Sequence, residues 1–174
     1  MKNVMAQAVS FLLLTATAEA SPQTLFDALN EQFSYMQAVA AWKRDTGSPV
    51  EYSGRQARLY TQRQLVNDAN AAADNGLHYE RAHDFFEARY AATNEIQYCL
   101  ITQWTEDESA PVQYKDINEV VLPALTGLRT TIIESLAEET ITSEHEKAFK
   151  ETIQVDCLSE ETKDKLFNTL LKLK

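Results

Sequence analysis

The chain has 174 residues, with 26 Asp and Glu against 16 Lys and Arg, so its formal net charge is −10. This acidic balance argues against a general nucleic-acid-binding protein, which needs a basic face to contact phosphates. Apolar residues make up 44% of the chain and charged residues 24%, as in ordinary globular proteins. With only four Gly and four Pro, the sequence is poorly suited to the many turns of an all-β sandwich or barrel.

The N-terminal segment has the layout of a secretory signal peptide, in which a basic residue precedes a largely apolar stretch. The tripeptide Ala18-Glu19-Ala20 is typical of a cleavage site. The apolar stretch is too short for a membrane span, although a helical anchor that stays attached is the alternative. We therefore predict a signal peptide over 1–20, a helical domain over 21–174, and a product that is secreted or periplasmic after cleavage near Ala20.

Apolar residues recur at helical spacing along the rest of the chain, without a strand pattern, internal repeat or domain linker. Ser53 can cap the second helix and Gly76 can end it. Ser143 and Ser159 are expected to open the last two helices. The apolar stripe of the fourth helix, which includes Val120, is expected to face inward. The pattern predicts a single all-α domain of about six helices, near 22–43, 53–75, 79–104, 116–138, 143 onward and 159–172.

The two cysteines, Cys99 and Cys157, suit one disulfide in an oxidising compartment. Such a bridge would close a long loop and stabilise the fold by a few kcal/mol. The alternative is that each is a small buried apolar side chain, because the sequence does not fix the distance between them. The three histidines show no ligand spacing with the cysteines, so we expect no metal site and no cofactor.

Two segments together resemble the secreted, all-helical chorismate mutases. The matching motifs are Val-Ala-Ala-Trp-Lys at 39–43, Ser-Pro-Val-Glu at 48–51, Ser-Gly-Arg at 53–55, Gly-Leu at 76–77, Phe-Phe at 85–86, Ala-Thr-Asn-Glu-Ile-Gln-Tyr at 92–98, and Trp104. Their order and spacing agree with the family over about 25–104, and more weakly in the fourth helix. The resemblance implies a helical fold of the family's type and rearrangement of chorismate, a small dianion, to prephenate in the shikimate pathway of aromatic amino acid biosynthesis.

The resemblance also implies catalytic roles for Lys43, Arg55 and Gln97. Lys43 falls where the family's Lys donates to the ether oxygen of chorismate, and Gln97 where a Gln or Glu faces that oxygen from the opposite side. Arg55 matches an Arg whose planar fork suits a carboxylate. The alternatives are a solvated Lys43 at a helix end, a surface ion pair of Arg55 with Glu51, and a buried polar role for Gln97.

Three further residues are candidates for substrate binding: Thr93 and Asn94, which replace the Asn and Lys of the family motif, and Arg129 on the fourth helix. Thr93 lies four residues before Gln97 and therefore on the same helical face. The alternative for Thr93 and Asn94 is a buried polar cluster that links helices. Their side chains could hold the hydroxyl or a carboxylate of the substrate.

At two positions the chain departs from the family. Gln32 stands where the family has an Arg eleven residues before the Lys, a spacing that brings both side chains to one helical face. Thr131 takes the position of the Arg on the fourth helix, and Arg129, two residues earlier, should point away unless the register is shifted. We therefore expect reduced activity, and we expect Gln32→Arg to raise kcat/KM unless another cation, with Arg129 the candidate, already fills that role.

The sequence leaves three functions open. The leading one is a secreted chorismate mutase, an isomerase, of reduced activity. The second is a catalytically weakened binding protein or effector on the same fold, and the third is a related lyase that acts on isochorismate. We expect no nucleic-acid partner and no membrane partner, while a homodimer stays open.

Overall fold

The computed structural model describes residues 22–51, 54–107 and 114–174, except for the side chains of residues 56 and 57. The predicted signal peptide and the predicted Ser53 cap lie outside these residues. Every regular element in the described ranges is helical, which confirms the all-α prediction. The helices are α1 (Gln23–Ser34), α2 (Met36–Thr46), α3 (Arg55–Asp74), α4 (Tyr79–Glu106), α5 (Leu122–Glu138), α6 (Glu146–Thr152) and α7 (Glu160–Leu170).

The first predicted helix is present but divided at Tyr35, which separates α1 from α2. The Tyr35 backbone stays close to helical, with φ −67° and ψ −16°, and the backbone hydrogen bonds continue through it. The helical spacing is therefore nearly preserved across the break. As a result Gln32, Met36 and Lys43, separated by four and then seven residues, lie along one side of the α1–α2 segment.

The helix ends follow local capping chemistry. Gly76 has a φ of 93°, a left-handed conformation that glycine adopts readily, and it ends α3 as predicted. The Ser159 hydroxyl accepts from the backbone N–H of Thr162 at the start of α7, which is also as predicted. The fifth predicted helix opens at Ser143 as expected, with a short 3₁₀ turn over Ser143–His145 that is capped by Thr142 and leads into α6.

Helix α4 runs through the centre of the fold and packs against α2, α3 and α7, while α1 packs against α5 and α6. The core between them is rich in fully buried rings and aliphatic side chains. These include Phe26, Phe33, Phe85, Phe86, Phe149 and Ile132. The expectation that Val120 faces inward is wrong, since a π-helical turn over Ile117–Val121 leaves Val120 exposed and buries Val121 instead.

The segment Ile117–Glu138 is the one helical stretch of the described residues that is long and apolar enough to cross a membrane. A single such helix is weak evidence of a membrane span, and 28% of its most apolar window is buried inside the fold. Ile132, Ile133 and Leu136 of this segment are buried in the core.

A disulfide joins Cys99 on α4 to Cys157 just before α7, so the first of the two alternatives for the cysteines is correct. Glu95, one turn earlier on α4, accepts hydrogen bonds from the Ser159 backbone N–H at 2.7 Å and from the Thr162 hydroxyl. The start of α7 is therefore attached to α4 by a covalent bond and by a carboxylate at its N-terminus.

Candidate active site

Lys43 lies in the last turn of α2, and its ammonium donates to the backbone carbonyl of Val50 at 2.9 Å. The side chain is partly buried, which does not fit the alternative of a freely solvated lysine. Burial lowers the pKa of Lys43, and the negative charge of Glu51 opposes this shift. An ammonium has three N–H donors, so two remain for a ligand.

The loop after α2 is attached to α4 through Glu51, whose carboxylate accepts from the Asn94 side-chain amide at 2.6 Å. The alternative ion pair between Glu51 and Arg55 is not formed. Arg55 is exposed at the first position of α3, and no described residue pairs with its guanidinium. The structure thus links Asn94 to the loop beside Lys43 and leaves Arg55 at the surface.

Gln97 is buried on α4, with 4% of its surface exposed. Its Nε2 donates to the backbone carbonyl of Thr93 at 2.9 Å and to the sulfur of Met36 at 3.5 Å, while its Oε1 has no partner. The Thr93 hydroxyl donates to the carbonyl of Tyr90 on its own helix at 2.7 Å. Thr93 therefore orients Gln97 through its backbone rather than through its hydroxyl.

A buried cation on α4 was missed by the sequence reasoning. Arg89 is 8% exposed, and it donates to Asp68 of α3 at 2.7 Å and to the Oε1 of Gln32 at 3.2 Å. Arg89 lies four residues before Thr93 and eight before Gln97, and this spacing is a signal in the sequence that the three residues share one face of α4. The contact with Asp68 depends on how α3 packs on α4, which the sequence does not state.

Arg129 joins the same group, since its Nε donates to the other carboxylate oxygen of Asp68 at 2.5 Å. The expectation that Arg129 points away from the site is therefore wrong. The long side chain spans the contact between α5 and α3, whereas the Thr131 hydroxyl is turned to its own helix and donates to the carbonyl of Gly127. The cation that α5 contributes beside Asp68 and Arg89 is therefore Arg129, two residues before Thr131, the position where the family has its Arg.

Two buried side-chain polar atoms lack a hydrogen-bond partner in the described part of the chain, Arg89 Nε and Gln97 Oε1. Both belong to the face of α4 that meets the α1–α2 segment. Buried polar groups are paired in most folded proteins, so this unpaired donor and this unpaired acceptor are candidates for contacts with a ligand. The candidate site thus combines Lys43 at one end with Gln32 and Arg89 at the other, and Gln97 between the helices.

No model of a protein family matches the chain. Comparison with curated proteins finds 31% identity over 130 residues to a secreted chorismate mutase of Yersinia pestis, covering 74% of this chain and 66% of that protein. A monofunctional chorismate mutase of Enterobacter agglomerans is 27% identical over 153 residues, which are 86% of this chain and 82% of that protein.

Solved structures agree with these relatives. The crystal structure of the secreted chorismate mutase from Yersinia pestis superposes with a TM-score of 0.75 at 26% identity, over 89% of this chain and 99% of that one. The chorismate mutase from Burkholderia phymatum superposes with a TM-score of 0.68 at 24% identity, over 86% of this chain and 98% of that one, and supports the fold alone. By sequence and by fold, the chain belongs to the chorismate mutase family.

Proposed function

We propose that this chain is an exported chorismate mutase that rearranges chorismate to prephenate. The observation that carries the proposal is a layer of buried and partly buried cations and amides between α1–α2, α3, α4 and α5, on a protein whose net charge is −10. An acidic protein that keeps guanidinium groups and an ammonium inside a helical site is suited to bind a small dianion.

The reaction is a single pericyclic step that requires no nucleophile and no metal. The enzyme has to hold both carboxylates in the compact, reactive conformer and to stabilise the charge that develops on the ether oxygen as its bond breaks. These two tasks call for fixed cations and for hydrogen-bond donors in a site with little water. They can be assigned to separate side chains.

Lys43 is suited to the ether oxygen. Its contact with the Val50 carbonyl fixes the ammonium at the end of α2, and its partial burial reduces screening by water. A positive charge fixed before the reaction stabilises the developing negative charge without reorganisation. Asn94 holds Glu51 and with it the loop that carries Val50, so we assign Asn94 to positioning Lys43.

Gln97 is suited to the opposite side of the same oxygen. One N–H of its amide is held by Thr93, while the other points to the sulfur of Met36, a weak acceptor that a substrate oxygen could replace. The unpartnered Oε1 can accept from the hydroxyl of the substrate. We therefore assign Thr93 a role in orienting Gln97 and not a direct contact with the substrate.

Arg55 is assigned to one carboxylate at the exposed edge of the site. Its position at the start of α3 adds the positive end of the helix dipole to its own charge. A guanidinium that lacks a carboxylate partner among the described residues is available to a ligand carboxylate. Arg129, through Asp68, belongs to the group of cations that serves the second carboxylate.

The proposal includes export with cleavage near Ala20, supported by the signal-like N-terminal segment and by the secreted Yersinia relative. Mass spectrometry of the protein recovered from a periplasmic or culture fraction tests the cleavage site. Light scattering on the same material gives the molar mass in solution, which tests the homodimer. A mass equal to that of one chain would contradict it.

Turnover of chorismate by the purified 21–174 protein, with prephenate identified as product, tests the activity. We expect saturable conversion that is lost in Lys43→Ala and retained in Lys147→Ala, a matched lysine with 85% of its side chain exposed. Release of pyruvate from isochorismate without conversion of chorismate would favour the lyase. Binding of chorismate without conversion of either substrate would favour the binding protein.

A further inference from the structure

The position where the family carries an Arg on its first helix is occupied by the neutral Gln32, yet it is not without a cation. The Arg89 guanidinium donates to the Gln32 side-chain oxygen at 3.2 Å. Gln32 and Arg89 are each 8% exposed, so both lie in the interior of the site. The positive charge therefore reaches this position from α4 instead of α1.

The cluster around Arg89 carries excess positive charge. Arg89 and Arg129 both bind Asp68, so two guanidiniums are paired with a single carboxylate. Burial lowers the pKa of Arg89, and the charge of Asp68 opposes that shift. An excess charge in a region of low dielectric is unfavourable unless an anion joins it. One carboxylate of a dianionic substrate would balance the cluster.

The Gln32 amide is oriented by this contact. Because its Oε1 accepts from Arg89, the amide presents its Nε2 hydrogens away from the cluster, and no described residue accepts from them. Arg89 itself keeps a buried Nε donor without a partner. The pair thus offers unused N–H donors backed by a positive charge, which is the arrangement that a carboxylate requires.

We propose that Arg89 takes over the function of the missing first-helix Arg, as a positioning residue that orients Gln32 as a donor and places positive charge behind it. Gln32 then contacts one substrate carboxylate directly, while Asp68 and Arg129 fix Arg89. This inference rests on the proposed function, since it concerns how the same site binds its dianion.

A consequence separates this arrangement from a site that simply lacks a cation. If the charge were absent, Gln32→Arg would restore it and raise kcat/KM. With Arg89 already present, the new guanidinium meets a second one where a 3.2 Å hydrogen bond now exists, and the like charges repel in a region of low dielectric. We therefore expect Gln32→Arg to lower activity, which is the outcome expected from sequence where another cation already fills the role, except that the cation is Arg89 and not Arg129.

The test is a double-mutant cycle of Gln32→Arg, Arg89→Gln and the combined variant, with Arg81→Gln as the control for loss of an exposed Arg on the same helix. For each we would measure kcat and KM for chorismate, and by calorimetry the Kd of a bicyclic dicarboxylate that mimics the compact conformer. Circular dichroism gives the folded fraction, and all constants are referred to it.

We expect Arg89→Gln to lower kcat/KM about tenfold, mainly through KM, as is typical of replacing a charge-assisted contact by a neutral one. Gln32→Arg should also be impaired. The combined variant, which moves the guanidinium to α1, should recover turnover and affinity to near the wild-type values. Because it restores the guanidinium that Arg89→Gln removes, the combined variant also covers the case in which Arg89→Gln alone does not fold.

The outcomes are distinct. If wild type neither converts chorismate nor binds the dicarboxylate, both the proposed function and this inference fail. If wild type binds the dicarboxylate and Arg89→Gln binds it equally, Arg89 is structural and only this inference fails. A gain of activity in Gln32→Arg, or a combined variant no better than the worse single variant, would also overturn it.

Discussion

Lys43→Ala is expected to remove turnover while leaving the fold largely intact. The structure gives the Lys43 ammonium one hydrogen bond, to the Val50 carbonyl at 2.9 Å, at the exposed end of α2. Loss of one such bond costs about 1 kcal/mol of stability. The same charge acts on the ether oxygen in the transition state, where removal of one preorganised donor lowers kcat by about 10²- to 10³-fold.

The assay compares kcat and KM with the free energy of unfolding from urea denaturation. Lys43→Ala should show a large loss in kcat and a small loss in stability, and Lys147→Ala should change neither. A Lys43→Ala protein with kcat within a few-fold of wild type would refute the assignment. An unfolded Lys43→Ala protein would refute the view that Lys43 contributes little to stability.

The pH dependence gives an independent check of the same residue. Lys43 has to be protonated to donate, so activity should fall as the pH rises through its pKa. Burial lowers that pKa, so the fall should begin below the range of an ordinary lysine, whose pKa is 10.5. Glu51 raises the pKa, and Glu51→Gln should therefore move the alkaline limb to lower pH. An unmoved limb would show that another group controls it.

The remaining predictions concern the exposed edge of the site and the link between α4 and α7. Arg55→Gln should raise KM more than it lowers kcat, whereas Arg81→Gln should change neither constant. Replacing Cys99 and Cys157 by Ala should lower the free energy of unfolding by about 4 kcal/mol, the chain-entropy value for a separation of 58 residues; an unchanged denaturant midpoint would contradict it. Burial raises the pKa of Glu95, but the hydrogen bonds from Thr162 and Ser159, with the charge of Lys165, together outweigh it and hold the pKa below its ordinary 4.5. The ionised Glu95 therefore stabilises the fold at pH values above 4.5, and this stability is lost as the pH falls through the lowered pKa. In Glu95→Gln, the free energy of unfolding should lose this part of its dependence on pH.

The helices could be predicted because their signals are local. Apolar spacing, the Gly76 stop and the Ser159 cap all act within a few residues of each other, and each is present in the structure. The sequence left the disulfide open as one of two alternatives, because the disulfide depends on a contact between residues 58 positions apart. The exposure of Val120 follows from a π-helical turn, whose extra residue changes the face that each side chain presents.

The site was predicted in part for a similar reason. A motif fixes Lys43 and Gln97, since each lies within a short matching segment. The group of Arg89, Asp68 and Arg129 comes from three helices and belongs to no segment of its own. Helical spacing can align Arg89 with Gln97, but only packing shows that Asp68 opposes it. An arginine in a helix is also most often a solvated residue, so the sequence alone favours that interpretation.

The electrostatic requirement of a dianion site constrains where charge lies in space, and it does not constrain which helix carries that charge. A guanidinium on α4 that reaches across to Gln32 can supply nearly the same potential as a guanidinium on α1, because the two side chains meet within hydrogen-bonding distance. Reading a family motif position by position therefore counts Gln32 as a lost cation, whereas summing the charges around the site counts Arg89 in its place. The two ways of counting predict opposite signs for the effect of Gln32→Arg, so the kinetics of that variant decide whether the cation was lost from the site or moved within it.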